Sequence, residues 1–156
     1  MSAYRIEPLA GQDRKAFASG SEPLDRYLRE QATQDIRRRV SACFVALGSG
    51  GDIAGFYTLA ATSLAFSSLS PERAKKLPRY PVVPAVLLGR LAVSIGHQGQ
   101  RLGSAVVADA LMRAARSEIM AHAMVVDAKD EPAARFYEHL GFARLIDAPE
   151  RLIRAL

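Results

Sequence analysis

LLGRLAVSIGHQGQRLG, Leu87 to Gly103, is the stretch from which the rest of the chain can be read. It begins within an apolar run, Val86 to Ser94, with the character of a central strand, and then passes through a loop into a helical pattern from about Leu102 to Arg116. Gly99 and Gly103 let a ligand approach the backbone closely, and a helix N-terminus offers unpaired N–H groups and the positive end of a dipole. A pyrophosphate suits such a loop. A tight strand-to-helix turn, with glycines for geometry alone, is the competing reading of the loop by itself. No Walker lysine–serine pair follows, and the spacing departs from the dinucleotide GxGxxG pattern, which argues against a nucleotide triphosphatase or a Rossmann dehydrogenase.

Outward from this stretch the chain alternates strands and helices. Tyr4 to Glu7 can form a first strand. Ser21 can cap a helix with Pro23 in its first turn, Leu24, Tyr27, Leu28 and Ala32 along one face, and the basic run Arg37, Arg38, Arg39 at its end. Cys43–Leu47 and Ile53–Phe66 are β-rich runs separated by GSGGD, a hairpin signal. A Pro-bounded stretch follows, with one helical turn expected around Glu72 to Leu77. Met124–Ala128 reads as a buried strand, and Glu131–Leu140 as a helix started by Asp130 and stopped by Gly141. Phe142–Leu145 and Leu152–Leu156 are expected as edge strands. This order predicts a single α/β domain over residues 1–156, with a mixed, mostly antiparallel twisted sheet and helices on both faces.

Composition narrows the function classes. Of 156 residues, 49% are hydrophobic and 24% charged, the balance of a globular protein rather than a disordered one. The formal charge of +5 points to an anionic partner. The single Cys43 permits no internal disulfide and suits a reducing compartment; in an apolar strand it reads as packing. No apolar run nears the roughly 20 residues that span a bilayer, and the N-terminus lacks a signal-peptide core. A cytoplasmic protein is expected, with no membrane association. His97, His122 and His139 lack metal-ligand spacing, so no metal site is expected.

The second chemical element is DAKDEPAARFYEHLGF, Asp127 to Phe142. A helix that begins just after a strand end lies at the carboxyl edge of a sheet, where ligands tend to bind. Tyr137 sits late on that helix, and a phenol with an ordinary pKa near 10 can protonate a thiolate leaving group. A core tyrosine with a satisfied hydroxyl is the plain alternative.

Taken together, the strand LGRLAV, loop QGQRLG, helix, strand VVDAKD and helix ARFYEHLGF resemble the GNAT acetyltransferase superfamily. The blocks SEPLDRYLREQATQD, IAGFYTLAATS, KKLPRYPVVPAVLLGRLAV and DAKDEPAARFYEHLGF extend the resemblance, over nearly the whole chain, to the GNAT toxins of bacterial toxin–antitoxin pairs. The resemblance implies acetyl-CoA as cofactor, with the backbone of Leu91, Ala92 and Val93 pairing with its pantetheine arm. Gln98, Gly99, Gln100, Arg101, Leu102, Gly103 and Ser104 would hold its pyrophosphate, and Tyr137 would be the general acid. Arg101 replaces the first glycine of the superfamily's loop motif. It is expected to splay outward, with cofactor binding retained but weaker than a glycine would give. Asp130 stands near the place where many GNAT enzymes carry a cofactor-contacting asparagine.

The same resemblance implies acetylation of the α-amino group of an aminoacyl-tRNA, which blocks translation. It also implies a DNA-binding antitoxin partner and a homodimer, for which Leu152–Leu156 could supply an edge. Arg37, Arg38, Lys75, Lys76, Arg79 and Arg90 are the candidate RNA contacts, through backbone charge and shape. An α-amino group has a pKa of about 7.7–8.0, so a strong general base is unnecessary. Two rival readings remain: an enzyme acetylating a protein or small-molecule amine, and a catalytically silent antitoxin- or nucleic-acid-binding protein.

Overall fold

The computed structural model describes residues 4–156. Its strands are β1 (Arg5–Pro8), β2 (Ala42–Leu47), β3 (Ile53–Ala65), β4 (Val82–Val93), β5 (Ala123–Asp127), β6 (Ala143–Arg144) and β7 (Arg151–Ala155). They form one seven-stranded sheet in the order β1-β2-β3-β4-β5-β7-β6. β4 and β5 pair in parallel, whereas β1–β2, β2–β3, β5–β7 and β6–β7 are antiparallel. The sheet is mixed, as the sequence predicts. The chain gathers into two compact units: the described residues through Ala60 with Gly89–Ala110, and Ala61–Leu88 with Leu111–Leu156.

In the first unit a helical run spans α1 (Glu22–Arg26), a π turn (Tyr27–Gln31) and α2 (Ala32–Arg37). The Ala32 N–H reaches back to the Tyr27 carbonyl, which widens the helix by one residue there. Leu28, Ala32 and Tyr27 bury the expected face against Val45, Leu47 and Phe56. Alternation along β3 then explains helices on both faces. Phe56 stacks on Tyr27, with ring centroids 6.3 Å apart. Its neighbours turn the other way, to α4 (Leu102–Ala115): a Cβ at Gly55 would lie 3.5 Å from Leu102 Cδ2, and the buried Tyr57 hydroxyl donates to Asp109.

Ser21 occupies the N-cap position of α1 but makes no side-chain cap. The buried Asp25 carboxylate instead accepts the Ser19 N–H at 3.0 Å and the Ser19 hydroxyl at 2.6 Å. A local capping signal thus yields to a tertiary bond. Cys43 is buried, and burial pushes its thiol up to about 12, which removes it as a nucleophile.

In the second unit Leu64, Leu69, Val83, Ala85, Val125, Leu145 and Ile153 form the core. α3 is the short turn Pro71–Ala74, capped by Ser70; it starts one residue before the expected Glu72–Leu77 turn and ends three residues before its end. β4 begins at Val82, four residues before the expected strand. Pro81 and Pro84 read as loop residues, yet the Pro84 carbonyl accepts the His122 N–H and starts the parallel ladder. α5 (Glu131–His139) is capped by the Asp130 side chain, which accepts the Ala133 N–H at 2.9 Å, and Gly141 with φ +91° ends it.

One expectation is overturned here. β7 is no edge strand: it pairs with β5 on one side and β6 on the other, and Leu152 and Ile153 are buried. The position at the end of the chain suggested an edge. The chain in fact returns between two strands already laid down, so the outer strands are β1 and β6. β7 therefore offers no free edge for subunit pairing.

Candidate functional site

In the first unit the site is a turn and the strand that leads into it. The ladder between β4 and β5 covers Ala85–Leu88 and stops there, so Leu91, Ala92 and Val93 lie beyond it. Gly89 and Arg90 mark the break. A Cβ at Gly89 would stand 3.0 Å from Thr58 Oγ1, and that hydroxyl accepts the Arg90 N–H at 2.9 Å. A strand glycine often signals such an irregularity.

Beyond β4 a single 3₁₀ turn, Ile95–His97, leads into the loop. Gly99 has φ +81° and Arg101 φ +61°, and a Cβ at Gly99 would meet nothing within 4 Å. The first bond into the helix is Ala105 N–H to the Arg101 carbonyl, which leaves the N–H groups of Leu102, Gly103 and Ser104 outside the helical ladder, beside the turn at Gly99 and Arg101. Left-handed residues and a helix start together gather unpaired donors that fit an anion such as a pyrophosphate. Arg101 is exposed and its guanidinium has no partner among the described residues, so it is splayed outward as expected.

Gln98 has a different role from its neighbours. Its Nε2 donates to the carbonyls of Ser19 and Val93, both at 3.0 Å. The side chain is a strut, and through Ser19 it connects to the buried Asp25 carboxylate. The Ile95 N–H also bonds the Ala18 carbonyl. Sequence reading missed Asp25 and Ser19 because the bond that links Ser19 to the loop comes from Gln98, 79 residues along the chain. Only their polar character near an apolar helix face hinted at a buried use.

In the second unit Tyr137 lies on α5, its ring fixed edge to face by Phe136 and Phe142 at 5.1 and 5.6 Å. The hydroxyl has no hydrogen-bond partner among the described residues and is not fully enclosed. This is no core tyrosine with a satisfied hydroxyl. Burial of the ring pushes the phenol up to about 12, so it stays protonated at neutral pH. Asp130, by contrast, is taken up in capping α5.

The basic candidates divide. Arg37, Arg38, Lys75, Lys76 and Arg79 are exposed and form no ion pair among the described residues. Arg90 is half-buried, with its guanidinium 3.7 Å above the Tyr27 ring. Burial and the Asp35 carboxylate together push that Tyr27 phenol up to about 12. Arg39, at the end of the helical run, takes φ +60°. Among the described residues no group of three His, Cys, Asp or Glu side chains could hold a metal ion, and no helix is long and apolar enough to cross a membrane.

A strand whose ladder stops short, followed by a turn of left-handed residues that opens a helix, is an arrangement suited to a pyrophosphate-bearing ligand. The acetyltransferase (GNAT) domain family matches residues 39–144, and the chain belongs to that family. It is 39% identical over 132 residues to a tRNA-acetylating toxin of Mycobacterium tuberculosis (strain ATCC 25618 / H37Rv), covering 83% of this chain and 78% of that protein. Its structure resembles AtaT complexed with acetyl-methionyl-tRNAfMet, with a TM-score of 0.89 and 28% identity over 97% of this chain and 94% of the other. It also resembles a tyrosine-to-phenylalanine mutant of the AtaT toxin bound to the C-terminus of the antitoxin AtaR and acetyl-CoA. That match has a TM-score of 0.81 and 25% identity, over 99% and 94% of the two chains.

Proposed function

We propose that this chain is an acetyl-CoA-dependent N-acetyltransferase that acetylates the α-amino group of an aminoacyl-tRNA and so acts as a translation-blocking toxin. The observation that carries the reading is the turn with left-handed Gly99 and Arg101 that leads into the unpaired first-turn donors Leu102 to Ser104 of α4. Similarity to a tRNA-acetylating toxin and to AtaT supplies the acceptor class. The unpaired cations Arg37, Arg38, Lys75, Lys76 and Arg79 suit an RNA backbone. The family match runs through both compact units, which supports one catalytic domain.

Acetyl-CoA supplies the acyl group, activated as a thioester. The backbone N–H groups of Gly99, Gln100, Arg101, Leu102, Gly103 and Ser104 hold its pyrophosphate, with Gln98 bracing the turn from behind. The backbone of Leu91, Ala92 and Val93, beyond the end of the β4–β5 ladder, would align the pantetheine arm and polarise the reacting carbonyl. The substrate amine, partly neutral at cellular pH, attacks without a dedicated base. Tyr137 would give its proton to the sulfur as the C–S bond breaks, the proton shed by the amine nitrogen would pass to solvent, and solvent would restore the phenol. Arg90 serves this site by ordering Tyr27 rather than by meeting RNA.

The substrate places the protein in the cytoplasm. A DNA-binding antitoxin is the natural partner, as AtaR is for AtaT. A homodimer is proposed as well, formed through a surface other than β7. The deciding experiment incubates the protein with labelled acetyl-CoA and a fully charged tRNA pool, and identifies the aminoacyl ends by mass. N-acetylated aminoacyl ends are expected. Label entering proteins or free amines, with none on tRNA, would overturn the reading.

A further inference from the structure

The loop that opens α4 is braced by a chain of side-chain bonds that the catalytic reading does not use. The Tyr4 hydroxyl lies 3.0 Å from His97 Nδ1 and donates to Gln100 Oε1 at 2.7 Å. On the other side of the imidazole, Nε2 lies 2.9 Å from Asp52 Oδ2. The Tyr4 and His97 rings also meet edge to face, with centroids 5.5 Å apart. Three separate segments converge here: the residues before β1, the β2–β3 turn and the α4 loop. Gly48 makes room for them, since a Cβ there would stand 2.7 Å from Asp52 Oδ1 and 3.3 Å from His97 Cε1.

Counting protons gives this chain of bonds a direction. A phenol has one proton, and here it goes to Gln100 Oε1. The contact between Tyr4 and Nδ1 is then satisfied only if Nδ1 carries a proton and donates to the phenol oxygen. Asp52 is held below the usual carboxylate range chiefly by its bond to His97, so it remains an acceptor and Nε2 must be the donor. All three bonds therefore coexist with an imidazolium. With a neutral imidazole Nε2 keeps its proton on Asp52, and Nδ1 takes the phenol's proton. The Tyr4 oxygen is then only an acceptor, and Gln100 meets it by turning its amide over, so that NH₂ faces inward and oxygen outward. In the arrangement seen here Gln100 Nε2 has no partner among the described residues, and its side chain is exposed.

We propose that Tyr4, His97 and Asp52 are positioning residues that set which end of the Gln100 amide faces the cofactor phosphates, so that binding of acetyl-CoA takes up a proton at His97. The proposal rests on the reading that residues Gly99–Ser104 hold those phosphates. An outward NH₂ donates to a phosphate oxygen, whereas an outward carbonyl repels it. The proton comes from solvent. Among the described residues the ring bonds Asp52 from the β2–β3 turn and Tyr4 from before β1, and Tyr4 in turn bonds Gln100 from the loop.

The test measures acetyl-CoA affinity calorimetrically for the wild type and Tyr4→Phe between pH ~5.5 and ~8.5, the range in which histidines ordinarily change charge. Phenylalanine keeps the ring contact and removes the relay, and the titration of the cofactor's own phosphates is common to both proteins. The wild type should lose about fivefold or more affinity, relative to Tyr4→Phe, as pH rises across that range. The His97 ring resonances should titrate at higher pH with cofactor bound than without. Asp52→Asn, a substitution at an exposed site, should move the steep part of the wild-type profile to lower pH. Parallel profiles for wild type and Tyr4→Phe, with binding intact, overturn the relay alone. Absence of acetyl-CoA binding by the wild type at every pH overturns the cofactor reading and the relay with it.

Discussion

Tyr137 combines a fixed ring with a hydroxyl that bonds nothing among the described residues. Tyr137→Phe therefore leaves no buried group unsatisfied, and its stability should stay within about 0.5 kcal/mol of the wild type. Transfer should fall by about 10²–10⁴-fold with acetyl-CoA affinity retained, as read by single-turnover rates and calorimetry. The raised phenol pKa fixes the sign of the pH response. The rate should climb as the substrate amine loses its proton near pH ~8 and should hold on the alkaline side, because the acid keeps its proton until about 12. A descending limb below pH ~9.5 would assign the acid to another group. Arg101 is the other telling residue. A non-glycine at φ +61° stores strain of about 1–3 kcal/mol, so Arg101→Gly should raise the denaturation midpoint. Calorimetry should also find tighter acetyl-CoA binding in that variant. Weaker binding would make the guanidinium itself a phosphate ligand.

At the scale of elements the loop before α4 is held in shape from outside. Gln98 ties it to the Ser19 carbonyl and to the end of β4, and Asp25 fixes Ser19 in turn. Neither strut touches the reacting atoms. Gln98→Ala should therefore raise KM for acetyl-CoA by about five- to thirtyfold, corresponding to the removal of one or two hydrogen bonds, while kcat at saturation stays near the wild-type value. A fall in kcat with KM unchanged would place Gln98 among the groups that act on the transition state. The sequence motif made Gln98 a cofactor ligand. The fold turns its amide nitrogen toward two carbonyls, because a turn that leads into unpaired backbone donors needs its shape imposed from elsewhere.

On the scale of the whole molecule, charge governs the encounter with RNA. Neutralising Lys75, Lys76 and Arg79 together should weaken tRNA binding and flatten its dependence on salt, by about 0.7 in logarithmic slope for each phosphate that is no longer neutralised. An unchanged slope in a filter-binding series would show these three cations to be merely solvated. Arg90→Ala should leave that slope alone, since its guanidinium lies over Tyr27. The proposed homodimer is checked by the mass in sedimentation at micromolar concentration, and truncation of β7 would not be a clean probe of it. Removing a strand paired on both sides unravels the sheet before it reports on association.

Much of this protein was legible in the chain itself. Local signals with a physical mechanism held up: the β-rich runs on either side of GSGGD, the apolar face of Leu28 and Ala32, and the Asp130 cap and Gly141 stop of α5 all depend on a few adjacent residues. The strand–loop–helix order around Gly99 and Gly103 marked the candidate cofactor turn for the same reason. What the tertiary structure decided were relations between distant residues, which no local period encodes. It placed β7 inside the sheet, since strand order is set by where the returning chain finds unpaired backbone. It laid Arg90 over Tyr27, turned Gln98 into a strut and joined Tyr4, Asp52 and His97. Each of these depends on side chains meeting across gaps of about fifty residues or more, where burial and the need to pair polar groups outweigh any preference written in the neighbouring sequence.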